Sequence, residues 1–330
     1  MTISKTDRHQ NKLGEGSYAK VYRGQYKGLP CAVKVFSEDC LKKELSNPEH
    51  EFDLAYLGDM NHENIVKVFG LWTDPHKGRN VNAIVMELCE DSLEGYIVRH
   101  KGKIASIDQK LQILNGVCKG MIFLHGEHIV HGDLRAPNIL LVTLEDQIIA
   151  KVSDFGMSRY IDPQKCSHLT SRHTDEEYLP PEVYLGKHQR TPKQQVALLT
   201  FEVDIFCFGN VALQLGCGEF PTPLKKVDIK IIGTTTVRTE IERRAKFMKK
   251  LKHSDKEVIE PIVHRCLADK PEDRPTFTDL HANIEAKLKR YKEQPDLAML
   301  QEKIVSRTLC LHFIDPYSCT NLWTLLHDLE

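Results

Sequence analysis

The segment Val203–Leu215, VDIFCFGNVALQL, most constrains how this chain of 330 residues folds, because it is apolar on nearly every side. A surface helix needs a polar face, and this segment offers none, so we predict a helix buried at the centre of a large domain. The segment is also shorter than the roughly 18 apolar residues that a membrane span needs. No other stretch approaches that length, so the sequence predicts no membrane span.

The rest of the chain shows two different sequence patterns, the first typical of strands and the second of helices. From Lys12 to Glu87, β-branched and aromatic runs such as CAVKVF and NAIVMEL alternate with Gly, Pro or Asn, and one helical stretch interrupts them at Glu49–Met60. From Leu93 onward, apolar residues recur at helical spacing. We predict an α+β fold with a small β-rich N-terminal lobe and a larger helical lobe. The predicted bounds are 12–86 for the small lobe, 87–92 for a hinge, 93–289 for the helical lobe and 290–330 for a C-terminal helical extension.

Composition excludes several classes of protein. The formal net charge is −1, so the overall charge does not favour any class of binding partner, and nothing in the sequence indicates nucleic-acid binding. The ten cysteines form no CxxC pair and mostly lie in apolar runs, which predicts buried free thiols in a reducing compartment such as the cytoplasm. The segment 224–256 carries 11 Lys or Arg against 4 Asp or Glu. A solvated helix and loop is the preferred interpretation, and a docking face for an acidic partner is the alternative.

Two short polar segments carry the candidate chemistry. The segment VHGDLRAPNILL, Val130–Leu141, places Asp133, Arg135 and Asn138 between two apolar runs. Eleven residues later, SDFG places Asp154 directly after another apolar run. Carboxylate and amide oxygens are the hard ligands that Mg²⁺ prefers, so these loops are candidates for a metal site.

A glycine-rich turn and a lysine precede these segments. In LGEGSYAKVYRG, Gly14 and Gly16 would let backbone N–H groups approach phosphate oxygens, although a plain tight turn explains them equally well. In CAVK, Lys34 lies inside an apolar strand, where it either extends its ammonium group to the solvent or directs it at phosphate.

In this order, the glycine-rich turn, the strand lysine, HGDLRAPN and DFG resemble the eukaryotic protein kinase catalytic domain over 12–289. Three later segments are also similar to kinase motifs: YLPPE with Glu182, DIFCFG with Asp204 and PEDRP with Arg274. In the family, the acid at the position of Glu182 pairs with the arginine at the position of Arg274. The segments NHENIVKVFG and YLPPEV look most like the tyrosine-kinase-like group of serine/threonine kinases.

The resemblance implies a role in phosphoryl transfer for each residue of the candidate site. Asp133 would be the catalytic base, Asn138 and Asp154 would bind Mg²⁺, Lys34 would hold the α- and β-phosphates of ATP, and Arg135 would neutralise the γ-phosphate. The implied adenine and phosphate contacts are Leu13, Gly14, Gly16, Val21, Ala32, Lys34, Met86, Leu140 and the backbone of Glu87 and Cys89.

The sequence also departs from the family pattern. Asp53 stands where the partner of Lys34 is usually a glutamate, and Gly132 replaces the arginine of the HRD motif. Asp175 replaces a threonine that helps to orient substrate in serine/threonine kinases. Without a cation at position 132, we expect phosphorylation of the segment Ser167–Tyr178 not to be the main activating signal.

The sequence therefore predicts an ATP- and Mg²⁺-dependent protein kinase that acts on serine or threonine hydroxyls of protein substrates, with tyrosine specificity as the less favoured interpretation. One alternative is a pseudokinase scaffold that binds nucleotide with weak or no transfer, which the departures from the family pattern support. A second is a small-molecule phosphotransferase, which the activation-segment pattern around Glu182 opposes.

Overall fold

The computed structural model describes residues 11–16, 19–37, 61–72, 83–100, 106–145, 147–161, 168–169, 180, 182–183, 197–219, 246–251 and 253–293. The chain divides into two compact units, 1–285 and 286–330, and of the second the structure describes 286–293. Several predictions lie outside the described residues. They are the helix at 49–60 with Asp53, the residues Asp175, Glu177 and Tyr178, most of the basic segment 224–256, and the extension beyond 293.

Five antiparallel strands form the N-terminal sheet in the order β1-β2-β3-β5-β4. Their bounds are Lys12–Glu15 for β1, Ala19–Tyr26 for β2, Leu29–Phe36 for β3, Val68–Trp72 for β4 and Ala83–Glu87 for β5. Valine, isoleucine and aromatic residues favour a pleated, half-buried surface, and the central strands carry several of them, including Val33, Val35, Phe36, Ile84 and Val85. The predicted β-rich N-terminal region is confirmed.

The register of this sheet decides which side chains share a face. Lys34 on β3 lies opposite Val21 on β2 and Ile84 on β5, and Ala32 lies opposite Met86. Directly opposed residues point to the same side, and so do alternate residues of one strand. Val21, Ala32, Lys34 and Met86 therefore lie on one face of the sheet. The other face carries the fully buried cluster Cys31, Val33, Ala83 and Val85.

The region after Glu87 is mainly helical. The helices are α1 Leu93–Arg99, α2 Ile107–Gly126, α3 Phe201–Cys217, α4 His253–Val258, α5 Glu260–Cys266 and α6 Phe277–Glu293. Every residue of α3 from Val203 to Gly216 is buried, so the predicted central helix is confirmed. Helix α3 packs against α2 and α5.

Helix α2 joins the helical region to the strands beside the site. It begins at a capping box, in which the hydroxyl of Ser106 accepts from the backbone N–H of Gln109 and the Gln109 side chain accepts in return. At Gly120 a Cβ atom would come within 2.6 Å of the Asn64 carbonyl, so only glycine fits there. That carbonyl accepts from the backbone N–H of Val152 at 2.8 Å, so the segment around Asn64 is held between the helix and a strand.

Pairs of strands bring two loops side by side. The strands described after β5 are β6 Asp91–Ser92, β7 Ile129–Val130, β8 Ile139–Leu144, β9 Gln147–Val152, β10 Arg159–Tyr160, β11 His168–Leu169 and β12 Ala197–Leu198. Strand β8 pairs with β9, and β7 pairs with β10. The loop 131–138 connects β7 to β8 and the loop 153–158 connects β9 to β10, so this pairing places the two polar loops against each other.

Within the ranges that the structure describes, no helix has an apolar stretch long enough to cross a membrane.

Candidate active site

A buried carboxylate of the central helix holds the start of the loop 131–138. Asp204, in the first turn of α3, accepts from the backbone N–H groups of His131 at 2.8 Å and Gly132 at 2.9 Å. Its carboxylate also lies 3.0 Å from Nε2 of His125 on α2. Asp204 is fully buried, and a buried carboxylate is tolerated where hydrogen bonds surround it. The sequence placed Asp204 at the head of the helix but did not reveal this contact.

The backbone at Gly132 explains why a glycine stands there. Its φ is +76°, in the left-handed region that side chains disfavour. A Cβ atom would also lie 3.1 Å from the Met157 carbonyl and 3.4 Å from the Leu199 side chain. The Met157 carbonyl of the loop 153–158 thus lies close to Gly132, and a side chain at this position would require that carbonyl to shift by a few tenths of an ångström.

Asp133 and Asn138 face each other within the loop. The side-chain amide of Asn138 donates to the Asp133 carbonyl at 2.8 Å and to its carboxylate at 2.9 Å. Burial raises the pKa of Asp133 to about 6, and this effect outweighs the nearby positive charge of Arg135, while the charge of Asp154 raises the pKa further. A carboxyl group with a pKa near neutrality can accept a proton and release it again. Two of the predicted site residues are therefore in direct contact.

An ion pair joins the second loop to the N-terminal sheet. Nζ of Lys34 donates to Oδ1 of Asp154 at 2.8 Å. Asp154 adopts a left-handed backbone conformation, with φ +66°, and accepts from the backbone N–H of Gly156. Burial by itself raises the pKa of Asp154, but the charge and hydrogen bond of Lys34 prevail and lower it. Asp154 is thus ionised at neutral pH. The predicted pairing of Lys34 with Asp53 stays a prediction.

Three of the predicted adenine contacts lie on the same face of the N-terminal sheet as Lys34. Val21, Ala32 and Met86 share its face of the sheet, and Leu140 lies on β8 opposite Ser92 and Lys151. The predicted phosphate loop is described in part, with Leu13 half exposed and the backbone N–H of Gly16 donating to the Ala19 carbonyl at 2.9 Å. Gly14 lies in β1, in open surroundings.

The hinge residues make contacts of their own. The backbone N–H of Glu87 donates to the Lys67 carbonyl at 2.9 Å, so its carbonyl is the group left for the predicted purine contact. The Glu87 carboxylate accepts from the Lys67 N–H at 2.6 Å and pairs with Lys151 at 3.0 Å. Burial raises the pKa of the Cys89 thiol to about 12, so this thiol is protonated at neutral pH.

The predicted pair of Glu182 and Arg274 is present. The Arg274 guanidinium donates to both Glu182 carboxylate oxygens at 2.7 and 2.9 Å. It also donates to the carbonyls of Ala268 and Glu202, both at 3.0 Å, and lies over the Phe206 ring at 4.8 Å. Because this guanidinium is fully buried, the pair fixes Glu182 to the central helix.

Together, the β-sheet and helical regions and the two facing loops define the bilobal protein-kinase fold. A family model described as protein tyrosine and serine/threonine kinase matches residues 8–284. The chain therefore belongs to the protein tyrosine and serine/threonine kinase family.

Curated relatives agree with this assignment. A probable serine/threonine-protein kinase of Dictyostelium discoideum is 28% identical over 268 residues, which are 81% of this chain and 15% of the relative. A second from the same organism is 28% identical over 292 residues, 87% of this chain and 63% of the relative. A probable receptor-like serine/threonine-protein kinase of Arabidopsis thaliana is 30% identical over 214 residues, 63% of this chain and 19% of the relative. The chain thus spans less than two thirds of each.

Proposed function

We propose that this protein transfers the γ-phosphoryl group of Mg-ATP to serine or threonine hydroxyls of protein substrates. One observation carries the proposal: Asp133 and Asn138 are in contact on one loop, Ser153 ties that loop to the one that carries Asp154, and Asp154 is paired with Lys34 of the sheet. Phosphoryl transfer requires mainly positioning and neutralisation of charge, and these side chains supply both.

The donor set fits a magnesium ion. Asp154 is an ionised carboxylate, and Asn138 uses its amide nitrogen for Asp133, which directs its amide oxygen elsewhere. Both would be hard oxygen ligands in a shell completed by water and phosphate, as Mg²⁺ prefers. When bound, Mg-ATP supplies the phosphoryl group with its charge partly neutralised. Lys34 would then exchange part of its contact with Asp154 for the α- and β-phosphates.

Asp133 is proposed to orient the attacking hydroxyl and accept its proton. Asn138 holds the Asp133 carboxylate in place from the far end of the loop, and Asp204 holds the near end through the backbone. Arg135, two residues after the base, would attract the negative charge that develops on the transferred group.

Adenine would lie against the sheet face that carries Val21, Ala32 and Met86, with Leu140 on the opposite side. The carbonyl of Glu87 and the backbone of Cys89 would bond the purine edge. Serine/threonine specificity is supported by the three relatives described above, which are probable serine/threonine-protein kinases. Residues 12–289 form the proposed kinase domain, followed by a C-terminal extension.

Partners and setting are proposed more coarsely. An acidic docking partner at 224–256 rests on charge alone, and within that segment Lys250 is already paired with Glu219. A reducing compartment such as the cytoplasm is supported by six described cysteines with free thiols: Cys31, Cys89, Cys118, Cys207, Cys217 and Cys266.

The test uses the purified protein with Mg-ATP and a mixed peptide library, and reads phosphate incorporation and the acceptor residue. We expect transfer to serine or threonine that is lost on Asp154→Ala. Nucleotide binding without transfer would instead indicate a pseudokinase scaffold, and phosphorylation of small molecules alone would contradict the assignment to protein substrates.

A further inference from the structure

Two serines flank the DFG motif, in the sequence SDFGMS, and both are buried. The hydroxyl of Ser153 donates to the backbone carbonyl of Asn138 at 2.9 Å. The hydroxyl of Ser158 donates to the backbone carbonyl of His131 at 3.0 Å. Neither hydroxyl was assigned a role from the sequence.

These two hydrogen bonds connect the ends of two loops. His131 begins the loop that carries Asp133, and Asn138 ends it. Ser153 and Ser158 likewise stand at the two ends of the loop that carries Asp154. Each end of one loop is therefore fastened to an end of the other.

Backbone contacts accompany the hydroxyl bond at both ends. At the Ser153 end, its N–H also donates to the Asn138 carbonyl at 2.9 Å, and its carbonyl lies 2.9 Å from Nε2 of His131. At the Ser158 end, the hydroxyl bond to His131 lies next to the pairing of β7 with β10 and to the close approach of Met157 to Gly132. We therefore test both hydroxyls, alone and together.

We propose that the Ser153 and Ser158 hydroxyls are positioning residues that hold Asp154 in register with Asn138 and so set the affinity of the nucleotide site for Mg²⁺. This inference rests on the proposed function. The two oxygens that would bind the metal come from different loops, and the contacts between the loops add to the strand pairing that sets their separation. A small shift of one loop changes that separation and weakens metal binding, whereas the sheet contacts to the nucleotide remain.

The experiment compares Ser153→Ala, Ser158→Ala and the double variant with the wild type. Ser153→Thr retains a hydroxyl at the same position. Ser106→Ala is the matched control, because Ser106 also makes a hydroxyl hydrogen bond, at the start of α2 and away from both loops.

The first measurement is amide hydrogen exchange in the free chain, without metal or nucleotide. We expect exchange within 153–158 to be at least tenfold faster in the double variant, with little change in α3, and near-normal exchange in Ser153→Thr. Exchange within 153–158 that matches the wild type in a folded double variant would overturn the inference. If Ser158→Ala does not fold, Ser153→Ala and Ser153→Thr supply the same comparison.

The second measurement is the dissociation constant of ATP with and without Mg²⁺. In the wild type, Mg²⁺ should tighten ATP binding by a certain factor, and we expect this factor to be at least fivefold smaller in the double variant. Without Mg²⁺, the ATP affinity of the double variant should be within twofold of that of the wild type. Equal losses in both conditions would show that the serines act only in packing, which contradicts the inference. If Mg²⁺ does not change the ATP affinity of the wild type, the proposed function is refuted. The hydrogen-exchange measurement would still show whether the two serine hydroxyls hold the loops together.

Discussion

Replacing Asp133 with asparagine should make the folded protein more stable at neutral pH while removing its activity. Burial raises the pKa of Asp133 from the ordinary 3.8 to about 6. Ionising this carboxyl group is therefore harder in the folded chain than in the unfolded chain. Asparagine has nearly the same shape and can still accept the hydrogen bond from Asn138, but it carries no charge to bury.

The magnitude follows from the two pKa values. Because the pKa is higher in the folded chain, the contribution of Asp133 to the free energy of unfolding is fully present below pH 3.8 and is lost as the pH rises through about 6. At pH 7 the ionised carboxylate costs the wild type about 3 kcal/mol, and at pH 5 the cost is roughly half of that. The asparagine variant should thus gain about 3 kcal/mol relative to the wild type at pH 7, and well under 1 kcal/mol at pH 4.

The assay is the melting temperature of both proteins from pH 5 to pH 8. Each kcal/mol moves the melting temperature of a large domain by roughly 2–4 °C, so the gain should be measurable and should shrink on acidification. Asp269→Asn, at an exposed aspartate, is the matched control and should show no such trend. A difference between Asp133→Asn and wild type that is constant with pH, or that grows toward pH 5, would refute the reasoning.

The same variant tests catalysis. Loss of a general base typically slows a reaction by about 10²–10⁴-fold, so Asp133→Asn should be both more stable and nearly inactive. In the wild type, the rate should fall on the acid side of about pH 6, as Asp133 becomes protonated. Wild-type rates of transfer in Asp133→Asn would show that another group accepts the proton.

Three further substitutions test contacts of the fold. Gly132→Ala should cost about 1–3 kcal/mol through its left-handed backbone, seen as a lower melting temperature, and an unchanged value would mean that the loop relaxes freely. Nζ of Lys110 lies 2.7 Å from Oδ1 of Asp255, and both side chains are buried. Lys110→Met should therefore lower the free energy of unfolding by about 3–5 kcal/mol, because it leaves the Asp255 carboxylate without this partner, and adding Asp255→Leu should restore most of the loss in denaturant unfolding. Arg274→Lys should cost roughly 1.5–3 kcal/mol, because lysine cannot make the paired bonds to Glu182, and equal unfolding midpoints would contradict this.

The sequence determined the elements and their chemistry. Apolar residues on every side of Val203–Leu215 required a buried helix, because no polar face was available for solvent, and the structure buries that segment completely. Valine-rich alternation gave the strands around Lys34, and the polar residues between apolar runs identified both loops. These are local properties, which the order of residues records directly.

Only the tertiary structure decided which of these groups touch. Strand pairing of β7 with β10 and β8 with β9 brings together two loops that are separate in sequence. The tertiary structure also brings Asp154 against Lys34, 120 residues away in sequence. The same strand pairing places the Met157 carbonyl close to Gly132, which gives a steric reason for the glycine.

The raised pKa of Asp133, the carboxylate of Asp204 beneath the loop and the two serine hydroxyls could not be read from the chain for the same reason. Each depends on burial or on a partner distant in sequence, and neither burial nor long-range contact is fixed until the elements pack.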